Sequence, residues 1–159
     1  MVSSGTAVVT LPTDTQILIK REFDAPKQLV YKAYTTPELI KRWWSGDRGK
    51  VTSAEVDLRV GGKWRYVMTA NAGFEVAFHG EYREIVPNEL LVSTEVFEGM
   101  PDGEALDTTT FKDVEGRTLL TVLMQLANKA DRDAVINSGM EGGMQEAMDH
   151  LEQVAASLR

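Results

Sequence analysis

The sequence predicts an α+β fold: one antiparallel sheet of seven strands wrapped against a long C-terminal helix, with two short helices between the first strand and the second. Three observations carry this. Apolar residues alternate with period two through much of residues 51–126, they recur at three- and four-residue steps from Met140 to Leu158, and Gly, Pro, Asn and Asp punctuate the runs between. At 159 residues, 43% hydrophobic and 26% charged, the chain has material for one well-buried core and is too short for two.

Residues 1–14 read as a flexible tail, and a single domain is expected over 15–159. Gln16 to Phe23 forms the first strand. Asp24-Ala25-Pro26 closes it, with Asp24 suited to capping and Pro26 to starting a helix whose apolar positions are Leu29, Val30, Ala33 and Tyr34. Thr36-Pro37-Glu38 starts the second helix, which runs through Leu39-Ile40-Lys41-Arg42-Trp43-Trp44. After Gly46 and Gly49 comes a strand with Val51, Ser53, Glu55 and Asp57 on one face and Thr52, Ala54, Val56 and Leu58 on the other. Gly61-Gly62 turns into the strand of Trp64, Tyr66 and Met68, Asn71-Ala72-Gly73 into Phe74 to Ile85, and Pro87-Asn88-Glu89 into Leu90 to Phe97. A Gly- and acid-rich loop follows from Glu98 to Asp107, then a hairpin of Thr108–Lys112 and Arg117–Leu126. From Ala130 the period is helical to the C-terminus. Met140, Met144, Ala147, Met148, Leu151, Val154 and Ala155 make one apolar stripe, and Gly139, Gly142 and Gly143 signal a kink, a helix start or a close approach.

Composition narrows the chemistry. Lys plus Arg number 17 against 24 Asp plus Glu, a formal charge of −7, which argues against a surface built to neutralise phosphates, so no nucleic-acid partner is expected. The chain has no cysteine and two histidines, leaving no thiolate chemistry and little from which to build a metal site; no metal and no cofactor are expected. Its longest apolar run, Leu119 to Ala127, is half of what a membrane helix needs, and the N-terminus has no basic, apolar signal pattern. A cytoplasmic location without membrane insertion is the expectation. A homodimer is compatible with the sequence, although no segment marks an interface.

Arg21-Glu22-Phe23-Asp24-Ala25-Pro26, Thr36-Pro37-Glu38-Leu39-Ile40-Lys41-Arg42-Trp43-Trp44 and Gly61-Gly62-Lys63-Trp64-Arg65 occur in that order along the predicted elements. The chain thereby resembles the START-like SRPBCC superfamily, specifically bacterial single-domain proteins related to the C-terminal domain of the activator of heat-shock protein 90 ATPase. The resemblance spans about Thr15 to Leu158. Ser138 to Met144 also resembles the start of the last helix in one branch, while Gly143-Met144 stands where another branch has Gly-Trp. The resemblance implies a helix-grip (START/Bet v-like) fold whose curved sheet and long helix enclose a cavity, one that binds apolar small molecules in many relatives. It implies no particular reaction, since relatives range from lipid carriers to polyketide cyclases.

Trp64, Tyr66 and Met68 share a strand face opposite Met140, Met144 and Met148, and together they line either a dry core or a ligand cavity, methionine being an adaptable filler in both. Trp43 and Trp44 point about 100° apart on a helix, so one can plug the core while the other faces an opening. Phe78 and Tyr82 complete the candidate ligand-binding set. Glu55 and His79 are the catalytic candidates; Glu55 becomes the better acid or base if it points inward beside Trp64 or Tyr66, where burial raises a carboxyl pKa. His150 is expected at the surface. Arg65 with Glu95 and Arg83 with Glu84 are candidate cross-strand ion pairs. No Gly-x-Ser-x-Gly elbow and no phosphate-binding loop is present. The leading functional expectation is a binding protein for an apolar or amphipathic small molecule. The alternatives are a cyclase-like or hydrolytic enzyme on the same scaffold, using a buried carboxylate or a histidine, and a co-chaperone-like interaction protein.

Overall fold

In the computed structural model, which describes residues 6–159, eight strands form one antiparallel sheet. They are β1 (Val8–Thr10), β2 (Gln16–Phe23), β3 (Gly49–Val56), β4 (Lys63–Ala70), β5 (Glu75–Val86), β6 (Leu90–Phe97), β7 (Glu104–Val114) and β8 (Arg117–Gln125). The spatial order is β1-β2-β8-β7-β6-β5-β4-β3, so every neighbour from β3 to β8 is a hairpin partner and only the β2–β8 pairing joins distant segments. Helices α1 (Lys27–Thr35) and α2 (Pro37–Ile40) follow β2; α3 (Lys129–Asn137) and α4 (Met140–Ser157) follow β8.

Several sequence expectations need correction. The stretch read as a tail carries the eighth strand: Val8, Val9 and Thr10 pair with Lys20, Ile19 and Leu18, while the first five residues lie outside the described part. Three residues are too few for an alternation to show. The edge is held from the helix side as well, because the Gln145 side chain accepts from the Ala7 N–H at 2.9 Å and donates to its carbonyl at 2.8 Å. The acidic stretch thought to be a loop up to Asp107 is already strand from Glu104. Asp24 caps nothing: Pro26 occupies the cap position of α1 and no side chain bonds there. The second helix stops at Ile40, so Trp43 and Trp44 lie on the turns that continue it.

A bulge between Val51 and Ser53 breaks the simple alternation of β3. Val51 pairs with Met68, whereas Ala54 and Val56 pair with Tyr66 and Trp64, so these three share the inner face although their numbers differ in parity. The C-terminal helical run is likewise two helices. Asn128 caps α3 by accepting from the Asp131 N–H at 2.8 Å, and Gly139, at φ 83°, takes the left-handed backbone from which α4 starts in a new direction.

The sheet packs unevenly on α4. At the β2–β8–β7 end the core is dry: Ile17, Phe23, Val30, Phe111, Leu120 and Leu151 are fully buried. Tyr31 and Tyr34 both meet the Phe111 ring edge-on, at 5.3 and 5.6 Å between centroids. Thr118, also fully buried, donates to the Ala25 carbonyl at 2.7 Å. Arg21 occupies an inward position of β2 among these apolar groups. Its guanidinium, 1% exposed, meets Asp149 at 2.7 Å and Glu152 at 3.2 Å, and lies 5.0 Å from the Phe23 ring. Glu152 also accepts from the Asp24 N–H at 2.7 Å. These acidic residues therefore flank the apolar stripe and tie α4 to the sheet.

Replacing Arg21 with Met should cost about 2–3 kcal/mol in urea unfolding, the scale of hydrogen bonds to a charged group. Arg48→Met, which breaks an exposed pair with Glu146, should cost clearly less. Equal losses would show that the Arg21 contacts add nothing beyond a surface pair.

Candidate functional site

Away from that dry end, the inner faces of β4 to β7 and the N-terminal half of α4 stand apart and enclose a cavity of about 590 Å³. Trp64, Tyr66 and Met68 project from β4 into it because their odd-even parity opposes that of Arg65 and Val67. Phe78 and Tyr82 line it from β5, and Met140, Met144 and Met148 from α4. All ten aromatic and methionine positions singled out from the sequence border this space, with Trp43 and Trp44 at one side.

The two adjacent tryptophans divide as helical geometry suggested. Trp43 is buried, stacked on Tyr34 at 5.4 Å, and its indole donates to the Ala33 carbonyl at 2.9 Å. Trp44 is partly exposed and presents its ring edge-on to Tyr66 and Phe78, at 5.4 and 5.5 Å. Phe97, on β6, extends the aromatic wall at 5.1 Å from Phe78. Arg48 and Met100 stand on the lining where the loops meet, Met100 being 58% exposed. Arg48 is held by Glu146 at 3.0 Å.

Polar groups are concentrated on the floor. Glu95 and Asp107 both face inward: Ser93 pairs with Asp107 and Glu95 with Ala105, which makes the two carboxyls diagonal neighbours on adjacent strands. Burial raises the Asp107 carboxyl well above the ordinary carboxylate range, and the charge and hydrogen-bonding reach of Glu95 push it further the same way. Burial thus favours the protonated form of Asp107, and its Oδ1 is buried without a hydrogen-bond partner. The Tyr34, Tyr66 and Tyr82 phenols are raised as well, chiefly by burial. The Trp64 indole nitrogen is a second buried polar atom without a partner. It lies over Gly80, where a Cβ would come within 1.8 Å of the Thr94 carbonyl oxygen and 2.6 Å of the indole nitrogen, so the absent side chain of Gly80 lets both the neighbouring strand and this ring approach.

The catalytic candidates stand elsewhere. Glu55 is exposed and pairs in register with Arg65, which pairs with His79; all three are on the outer face of the sheet. There Glu98 accepts from Arg65 at 2.8 and 2.9 Å and meets His79 Nδ1 at 2.9 Å. Arg65, then His79, lowers the Glu98 carboxyl to about 2. Arg65 therefore pairs with Glu98, and the Glu95 expected as its partner faces the other way; Arg83 pairs with Glu81 at 3.1 Å in place of Glu84. His150 is only partly exposed, at 2.9 Å from Asp47. Among the described residues no group of three or more acidic or histidine side chains is placed to hold a metal ion.

The sequence did hold a signal for the carboxyl pair. Leu91, Ser93, Glu95 and Phe97 share one parity on β6, and Ala105, Asp107, Thr109 and Phe111 share one on β7. Each acid is therefore flanked two residues away by groups that belong inside. A loop assignment for Asp107 and an expected ion pair for Glu95 hid it.

Comparison with known proteins follows the same architecture. A crystal structure of a protein from Rhodobacter sphaeroides matches with a TM-score of 0.88 at 28% identity, covering 95% of this chain and 99% of that one. A solution structure of an Arthrobacter aurescens protein matches at 0.84 and 25% identity, covering 94% and 91%. A Mycobacterium smegmatis protein matches at 0.83 and 23% identity, over 93% and 96%, a likeness of fold alone. No curated protein matches the chain in sequence. The profile of the activator of Hsp90 ATPase homolog 1-like proteins matches residues 24–156, from the end of β2 to the last turn of α4, and the chain belongs to that family.

Proposed function

We propose that the protein binds an apolar or amphipathic small molecule between the sheet and the N-terminal half of α4. The family is a ligand-binding scaffold in general. The single observation that carries the proposal for this chain is the cavity of about 590 Å³, which falls within the roughly 300–1,000 Å³ of small-molecule sites. Aromatic rings and methionines suit such a ligand: the rings give large, stiff contact area, and methionine adapts its shape. Trp43, Trp44, Trp64, Tyr66, Met68, Phe78, Tyr82, Met140, Met144 and Met148 are the contacts expected to hold it.

A second reading, an enzyme on the same scaffold, has one observation in its favour. Asp107, whose protonated form burial and Glu95 favour, lies beside Glu95 inside an apolar cavity, an arrangement by which two acids divide into proton donor and acceptor. In this reading the proton carriers are Glu95 and Asp107, with Glu55 and His79 facing away.

The neutral dye N-phenyl-1-naphthylamine should bind with one site per chain and a Kd on the order of micromolar, read by its fluorescence. Met144→Trp, which fills the cavity from α4, should weaken it at least about tenfold with the circular dichroism unchanged; undiminished binding places the dye elsewhere. The unequal packing gives a stability test. Phe111→Ala in the dry core should cost about 3–5 kcal/mol, whereas Trp64→Ala, which only enlarges an existing cavity, should cost about 1–2 kcal/mol. Equal costs mean that the cavity is filled in solution. An acid whose folded pKa is raised stabilises the fold below its unfolded value, near 3.9 for Asp, and loses that contribution as pH rises. The wild type should therefore lose stability relative to Asp107→Asn as urea unfolding is repeated from pH 4 to pH 8. A difference that stays constant with pH would remove the proton donor from the second reading.

A further inference from the structure

Charge is unevenly placed around the cavity. Among the described residues its lining carries one cation, Arg48, and three acids, Glu95, Asp107 and Asp131. An anionic group carried to the floor meets repulsion from the acids there, so the attractive position for it is beside Arg48. Arg48 belongs to the rim: its side chain is 54% exposed, and the lining residues Met100 and Ser138 are exposed as well. The guanidinium is held through one nitrogen. Both Glu146 oxygens accept from Nε, at 3.0 and 3.2 Å, and the same carboxylate accepts from the Asp47 N–H at 3.3 Å, which fixes the loop that carries Arg48. Nη2 lies along the first turn of α4, where a Cβ at Gly142 would come within 2.7 Å of it. That glycine makes room for the guanidinium against the helix. Among the described residues no acceptor is hydrogen-bonded to either terminal nitrogen of Arg48. A guanidinium has five N–H donors, and the four on its terminal nitrogens form a fork that a carboxylate can fit with both oxygens.

We propose, resting on the reading of this cavity as a binding site, that Arg48 is its head-group contact and selects an apolar molecule bearing one terminal carboxylate, bound tail first. The carboxylate accepts from the terminal nitrogens of Arg48 at the half-exposed rim, so its charge is not carried to the floor. The apolar body lies against Trp44, Phe78 and Met144. Other head groups match less well. An ammonium group is repelled by the guanidinium, and a hydroxyl makes a weaker, uncharged hydrogen bond. A phosphate dianion brings two charges to one cation that Glu146 already partners.

The probes are decanoate, 1-decanol and decylammonium, which share one chain and differ in head group. Each competes at pH 7 and low salt with N-phenyl-1-naphthylamine for the full-length wild type, Arg48→Met and Lys50→Met, with displacement read by fluorescence. Lys50 is exposed and outside the lining, so its variant removes the same charge without touching the cavity. In the wild type and in Lys50→Met, decanoate should bind at least about fivefold more tightly than 1-decanol and than decylammonium. In Arg48→Met the advantage over 1-decanol should fall below about twofold, with 1-decanol itself unchanged within about twofold. Wild-type decanoate that binds no more tightly than either other probe, an advantage that survives Arg48→Met, or one lost equally in Lys50→Met overturns the head-group contact and leaves the cavity as a binding site. A wild type that binds neither the dye by fluorescence nor decanoate by calorimetry overturns the binding reading, and the contact with it.

Discussion

The buried guanidinium of Arg21 sets how the sheet and α4 meet. A charge placed among Ile17, Ile19 and Phe23 is costly unless it is paired, and the pairing available is with Asp149 and Glu152, one helical turn apart on α4. That requirement fixes the rotation of the helix and pins its C-terminal half to β2. Leu151, Val154 and Ala155 then fall into the dry core. Met140, Met144 and Met148 are carried over the other half of the sheet, where α4 is held at its flanks, by Gln145 to Ala7 and by Glu146 to Arg48. The cavity is thus a consequence of where the helix is fastened.

The same division decides where polarity is placed. On the outer face, charges meet in open pairs such as Arg65 with Glu98, which solvent screens and which add little to stability. On the inner face, Glu95 and Asp107 lie side by side, and burial together with Glu95 favours the protonated form of Asp107. A dry core would exclude both acids. Gly80 belongs to this arrangement, since a side chain there would run into the Thr94 carbonyl of the next strand and the Trp64 ring.

How much of this was legible in the residues varied with the physics behind each feature. Period-two alternation between Gly, Pro and Asn turns located seven strands, because a sheet with one covered face imposes that pattern. The three-residue β1 escaped because its pairing depends on β2 and on Gln145 of α4, neither of which leaves a local trace. The bulge in β3 escaped for a related reason: it changes parity without changing composition, and it turned the apparent company of Val51 and Glu55 into opposite faces. Among the site residues, the large aromatic and methionine side chains declared themselves through size and spacing. Glu95 and Asp107 did not, because an acid in a strand is ordinarily solvated and only the flanking parity of Leu91, Phe97, Ala105 and Phe111 marks these two as inward.

An apolar cavity between β4–β7 and α4 is the claim on which the functional account rests. Crystals of the protein held under xenon pressure test it directly, since xenon occupies apolar voids without needing any particular chemistry. The account predicts xenon bound between Phe78, Trp44 and Met144, above the level of Glu95 and Asp107. A structure with no xenon there, and with Met140, Met144 and Met148 folded down onto Tyr66 and Phe78, would contradict it.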